Sequence, residues 1–183
     1  MPRRKVALKT DVQRQRAAFR LSRRYAREVV LGTLFQLEFQ EGDREQMLGF
    51  ALSELEAESG RVLAIDDDSA QGQAGASSTV LSESDLRFAQ ELLTGVCERR
   101  VEIDEVLASF ARDWSLARIG RLERSILRMA LYELLWRDDI PPAATLDEAV
   151  ELTKAYCAPE ASAFINGILG NIHQHLVVQV FPA

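Results

Sequence analysis

The chain has 183 residues, of which 47% are hydrophobic and 27% charged, a composition of a globular protein rather than a disordered or collagen-like one. No apolar run approaches the about 20 residues that span a membrane, and the basic N-terminus lacks the apolar run of a secretory signal. The chain carries a net charge of −6, yet residues 1–27 hold ten Lys and Arg side chains against the single acid Asp11, a local charge of +9. A basic segment on an acidic body favours a polyanionic partner.

From the N-terminus, residues 1–21 are predicted to form a flexible basic arm. Helical periodicity begins at Ser22, which is expected to cap the first helix, and Gly42 is expected to end it. A second helix is predicted over 43–58. Residues of about 60–80 contain few large apolar side chains, so we expect a disordered insertion within one domain.

Five further helices are expected after the insertion. Ser82 and Asp85 form a capping-box variant, and Thr145 with Glu148 form another that is expected to start a helix. The helix at 117–137 is the most apolar and is expected to be buried. The expected ranges of the other four are 82–100, 102–112, 145–156 and 159–172. These patterns predict an all-α fold of about seven helices in residues 22–175, with a tail at 176–183.

The candidates for catalysis and metal binding are few. Cys97 and Cys157 stand apart, which favours a reducing, cytoplasmic location without a disulfide framework. His173 and His175 lie two residues apart, so on a helix they point in different directions and no metal site is expected. No nucleophile-elbow, P-loop, dinucleotide-binding or zinc-protease motif is present, so we predict neither an enzyme nor a cofactor.

The predicted start of the first helix carries candidate RNA-binding residues. Arg23, Arg24 and Arg27 lie in the expected first turns, where guanidinium groups near exposed helix N–H groups favour phosphate oxygens. Tyr25 lies among them and is a candidate for stacking on a base, although its position favours packing against the helix flank.

Arg121, Arg124 and Arg128 form a second basic stripe, at spacings of three and four residues. Such a stripe is either the solvated face of an amphipathic helix or a contact surface for protein or RNA.

Several segments together resemble the NusB family of bacterial transcription antitermination factors. These segments are RRYARE (23–28), LLTGV (92–96), LERSILRMALYELLWRDDIP (122–141), LDEAVELTKAYCA (146–158) and FINGIL (164–169). Their order and separations match the family over roughly residues 22–173. Each motif is weak alone, but the combination is specific.

The resemblance implies a two-subdomain helical fold and a non-catalytic, RNA-binding adaptor. It implies binding to the single-stranded boxA element of ribosomal RNA transcripts together with the ribosomal protein NusE, in a complex with RNA polymerase. By position, the family's RNA-contacting aromatic residue falls on Phe164. The surface that faces NusE would include Phe35, Glu123, Arg124 and Glu160.

The chain departs from the family pattern in ways that leave alternatives open. Tyr25 interrupts an arginine run, and Ala163 stands where a lysine is common, so we expect weaker phosphate binding, which the basic arm is hypothesised to offset. One alternative is the RNA-targeting domain of a truncated ribosomal RNA cytosine methyltransferase. Another is a protein-protein interaction module without RNA specificity. The sequence is also compatible with a homodimer.

Overall fold

A computed structural model describes residues 3–40, 42–58, 63–64, 78–79, 81–110 and 118–177. The described part contains seven α-helices, one pair of very short strands and a C-terminal π-helical segment. The helices are α1 (Arg3–Leu37), α2 (Arg44–Glu58), α3 (Glu83–Glu98), α4 (Arg100–Phe110), α5 (Arg121–Trp136), α6 (Pro142–Tyr156) and α7 (Ala161–Ile172), and the π-helical segment is His173–Val177. The predicted all-α fold of about seven helices is confirmed.

Helix α1 begins at Arg3, far ahead of the predicted start at Ser22. Ser22 does not cap the helix, because its hydroxyl donates a hydrogen bond of 3.0 Å to the carbonyl oxygen of Phe19 one turn earlier. Residues 3–31 contain neither proline nor glycine and are rich in strong helix formers, so nothing in the sequence stops the helix before Ser22. The predicted arm is therefore helical from Arg3, and its flexibility stays a prediction.

The two predicted capping boxes had different outcomes. At α3, Ser82 is the N-cap, and the Asp85 N–H donates to its hydroxyl at 3.2 Å, as predicted. At α6 the prediction was wrong, because the helix begins at Pro142 and Thr145 is buried inside it. Proline at the first position suits a helix start, since its fixed φ is helical and its missing N–H would have no partner there.

Helix α5 is the centre of the fold, as its apolar sequence predicts. It packs against α1, α3, α4, α6 and α7, and residues Ile126 to Leu131 are all buried. Helix α3 approaches it closely at Gly95, where an added Cβ would lie 2.1 Å from the ring of Tyr132. Helix α3 packs against α1, α2 and α4, and α7 packs against α4 and α6.

The predicted insertion and tail lie almost wholly outside the described residues. Within the insertion only two strands are described, β1 (Leu63–Ala64) and β2 (Ser78–Thr79), which pair antiparallel. The disorder predicted for about 60–80 stays a prediction. Among the helices that the structure describes, none has the length and apolar character that a membrane span requires.

Candidate nucleic-acid interface

Arg27 lies in the interior rather than on the surface that its predicted role requires. It is 6% exposed, and its Nε and Nη2 donate to the two carboxylate oxygens of Glu133 in α5, at 2.7 and 3.0 Å. The hydroxyl of Thr145 in α6 donates to the same carboxylate at 2.9 Å. Arg27 therefore joins three helices, and its guanidinium is already occupied by a buried carboxylate.

Arg24 is half-buried at the outer edge of the same helix. Its Nε and Nη2 donate to Glu148 of α6 at 2.8 and 3.1 Å, and its Nη1 lies 3.9 Å from Glu151. The hydrogen bond with Glu148 is the main cause that raises the pKa of Arg24 above its ordinary value. The Arg24 side chain is 32% exposed, compared with 8% for that of Arg27.

Arg23 faces α3. Its Nε lies 3.3 Å from a carboxylate oxygen of Asp85, a charge contact without hydrogen-bond geometry. Its guanidinium lies over the ring of Phe88, 4.3 Å from the centroid, and 5.2 Å from that of Phe19. The three predicted arginines thus attach α1 to α3, α5 and α6, and they lie well inside α1 rather than in its first turns.

Tyr25 is separated from these arginines. It is half-buried and lines an open groove between α1 and α2, together with Glu28, Gly32 and Tyr156. Glu28 and Glu54 both line this groove, and their carboxylates would repel a phosphate there. The structure therefore does not bring Tyr25 and the arginines into one surface.

A second open groove runs between α1, α6 and α7. Arg20 and Arg24 of α1 line it together with Lys154 of α6 and with Ala163 and Asn166 of α7. Phe164, which follows Ala163 in α7, is half-buried and packs partly against the core. The residues of α7 that line the groove are its neighbours, Ala163 among them. The acids Asp147 and Glu151 line the same groove, so its three cations Arg20, Arg24 and Lys154 exceed its carboxylates by one charge. We refer to it as the basic groove.

The second basic stripe is largely occupied by internal ion pairs. Glu38, near the C-terminal end of α1, accepts hydrogen bonds from Arg124 and Arg128 of α5. Arg128 is 5% exposed and also binds both carboxylate oxygens of Asp104 in α4, at 2.7 and 2.8 Å. Burial alone would raise the pKa of Glu38, but the hydrogen bonds from Arg128 and Arg124 outweigh it and lower that pKa.

An exposed aromatic patch borders this cluster. The rings of Phe35 and Phe39 meet edge to face at 4.9 Å, and the Arg121 guanidinium lies 4.1 Å from the Phe39 centroid. Phe39 is 58% exposed, an unusual position for a ring that carries no polar group. With the half-buried Arg124, these residues form a mixed aromatic and basic surface of the kind found at protein interfaces.

The other two predicted partner-binding residues lie at different places. Glu123 is half-buried next to Cys157, whose pKa is raised to about 11, first by burial and then by the Glu123 carboxylate. Glu160 is exposed at the N-cap of α7. The described residues contain no group of His, Cys, Asp or Glu side chains arranged to hold a metal ion.

Comparison with known proteins identifies the family. The NusB family model matches residues 24–174. The chain belongs to the NusB family. The predicted resemblance is confirmed, and since this family consists of non-catalytic transcription antitermination factors, so is the prediction that the chain is not an enzyme.

Two relatives show the extent of the similarity. The transcription antitermination protein NusB of Geobacter sulfurreducens is 36% identical over 151 residues, which cover 82% of this chain and 93% of that protein. The NusB of Acetivibrio thermocellus is 33% identical over 152 residues, which cover 83% of this chain and 88% of its own length.

Solved structures show the same fold. NusB of T. maritima superposes with a TM-score of 0.63 at 30% identity, covering 84% of this chain and 91% of that one. The chain matched in a crystal structure of the antitermination factors NusB and NusE in complex with double-stranded RNA gives a TM-score of 0.60 at 19% identity. The superposition covers 84% of this chain and 97% of the matched NusB chain. At this identity the comparison shows a shared fold and no more.

Sequence reasoning missed the residues that complete these surfaces. Arg20 and Lys154 were not selected, because nothing in the sequence places α1 beside α6. Phe39 was missed because it follows the last helical residue of α1, where the periodic pattern ends. The acidic partners Glu133 and Glu148 were missed because they are more than 100 residues from their arginines.

Proposed function

We propose that the chain binds boxA-type single-stranded RNA of ribosomal RNA transcripts together with NusE, within the RNA polymerase antitermination complex. Family membership supports the role in antitermination. The structure of a NusB with NusE and RNA, which shares this fold, supports the choice of partners. A cytoplasmic location follows from such a role and stays a prediction.

The observation that carries the RNA proposal is the basic groove between α1, α6 and α7. Arg20 and Lys154 are exposed there, and Arg24, which Glu148 holds in position, also lines the groove. Phosphate oxygens are bound well by arginine and lysine at such an edge, and Phe164 lies next to the groove wall as a candidate stacking ring. Arg27 supports this surface from inside by fixing α1 against α5.

NusE is proposed to bind the aromatic patch of Phe35, Phe39, Arg121 and Arg124. Its exposed Phe39 ring offers the apolar area that a protein partner would bury, and the arginines around it form a polar rim. The aromatic patch lies between α1 and α5, whereas the basic groove lies between α1, α6 and α7. One partner can therefore be weakened without altering the other surface.

The groove is tested by measuring RNA affinity with fluorescence anisotropy. Arg20→Gln/Lys154→Gln removes two exposed charges from the groove without breaking a buried ion pair. We expect weaker binding of a boxA-type strand and a shallower salt dependence, by about 0.7 in log–log slope for each phosphate that the variant no longer neutralises. The control Arg87→Gln/Arg99→Gln removes two charges from α3 and its C-cap.

An unchanged affinity and slope in the groove variant would refute the assignment of the groove. A loss of equal size in the control would show a general charge effect instead of a site. In the same assay Phe39→Ala is expected to leave the affinity for RNA alone unchanged and to abolish any gain from added NusE.

A further inference from the structure

The N-terminal part of α1 precedes the segment that the family model matches. That match begins at residue 24, whereas the helix begins at Arg3. We refer to residues 3–20 as the α1 extension. At 1.5 Å per residue the extension adds about 27 Å of helix. The proposed RNA groove uses only the last residue of the extension, Arg20.

The charge of the extension is strongly positive. It contains seven Lys and Arg residues against the one acid Asp11, a net charge of +6. Lys5, Lys9, Arg16 and Arg20 follow one another at spacings of four, seven and four residues, which places these four positions on one face of an α-helix. Large apolar residues are too few to form a continuous stripe, so burial of apolar area is a poor explanation for the segment.

The extension is continuous with the proposed RNA surface. Arg20, its last residue, is exposed and lines two grooves, the basic groove with Arg24 and a second one with Arg23 and Phe88. The neighbouring Phe19 is 56% exposed, so an aromatic ring lies at the junction. A strand that continues from Arg20 along the helix would pass the basic positions Arg16, Lys9 and Lys5.

We propose that the α1 extension is an additional RNA-binding element that contacts the phosphate backbone beyond the basic groove. This inference rests on the proposed function and extends the RNA surface by the positions Lys5, Lys9 and Arg16. Contacts between cations and phosphates carry no base information. The extension therefore strengthens binding to any single strand long enough to reach it and leaves the preference for boxA unchanged.

The test compares salt dependence in the full-length chain. Lys5→Gln/Lys9→Gln/Arg16→Gln keeps helix-forming residues, and circular dichroism verifies that the helix content is retained. Fluorescence anisotropy is measured between 50 and 200 mM salt, values over which such contacts change affinity strongly. The probes are a boxA-type strand and a scrambled strand of equal length, each extended on both sides by uridines.

The log–log slope is expected to become shallower by about 2 for both strands, at about 0.7 for each of three phosphates. The control, Arg87→Gln/Arg99→Gln/Arg118→Gln, removes the same charge from other surfaces and is expected to keep the wild-type slope. A wild-type slope in the extension variant would overturn the proposal, and so would an equal change in the control.

The result also separates this proposal from the proposed function. If boxA and scrambled strands bind equally in every variant, the boxA assignment fails, yet a slope that depends on the extension still supports the additional RNA-binding element. If boxA is preferred and the extension variant keeps the full slope, only the extension proposal fails.

Discussion

Replacing Arg27 by alanine tests whether this arginine is a structural residue rather than an RNA ligand. The substitution leaves the Glu133 carboxylate, which is 2% exposed, without its guanidinium partner and with only the hydroxyl of Thr145. Removing one partner of a buried ion pair costs about 3–5 kcal/mol. For a chain of this size the melting temperature is expected to fall by roughly 2–4 °C per kcal/mol, about 6–20 °C in total.

The assay is unfolding in urea, followed by circular dichroism, for Arg27→Ala and two comparison variants. Arg27→Met/Glu133→Leu/Thr145→Val replaces the whole buried cluster with apolar side chains and is expected to be near neutral, because no charge is left unpaired. Arg87→Ala removes an exposed arginine of α3 and is expected to change stability by less than about 0.5 kcal/mol. A free energy of unfolding for Arg27→Ala within about 1 kcal/mol of wild type would refute the reasoning.

Three further predictions concern packing and titration. Gly95→Ala forces a methyl group against the Tyr132 ring, so it is expected to lower the free energy of unfolding by about 1–3 kcal/mol in the same urea assay. An unchanged free energy of unfolding would contradict the close contact between α3 and α5. The pKa of Cys157 is raised to about 11 from an ordinary value of 9.0, so the folded chain holds less of the reactive thiolate. Its reaction with iodoacetamide, followed by mass spectrometry, is therefore expected to be roughly 100-fold slower in the folded than in the unfolded chain. Equal rates would contradict this. The lowered pKa of Glu38 means that its ion pairs stabilise the fold above its unfolded pKa and that this contribution is lost as the pH falls through the folded value. Glu38→Gln is therefore expected to be less stable than wild type near neutral pH, with a difference that shrinks toward acid pH; a difference independent of pH would contradict the assignment.

The parts of the fold that depend on nearby residues were predictable. The cap of α3 needs only Ser82 and Asp85, three residues apart, and the burial of α5 follows from its apolar pattern. The start of α6 was mispredicted because two local signals compete, Thr145 with its capping-box spacing and Pro142 with its fixed φ. The sequence offers no means of ranking them, whereas the structure uses Thr145 as a buried partner of Glu133.

The site was less predictable than the fold, because its residues depend on partners far along the chain. The spacing of Arg23, Arg24 and Arg27 was interpreted as a phosphate-binding helix face, but the same spacing is compatible with carboxylates of neighbouring helices. Glu133 and Glu148 decide between these alternatives, and only the packing of α1 on α5 and α6 brings them near. A charge pattern on one helix therefore shows the need for anionic partners without identifying them.

In the proposed function, the chain is an adaptor whose binding of boxA-type RNA is coupled to the binding of NusE. The most direct measurement is the affinity of the wild-type chain for boxA-type and scrambled single strands at one fixed salt concentration, with and without saturating NusE. We expect a preference for boxA that NusE strengthens, by the roughly 5- to 150-fold typical of coupled binding sites. Equal affinity for both strands, unchanged by NusE, would contradict it.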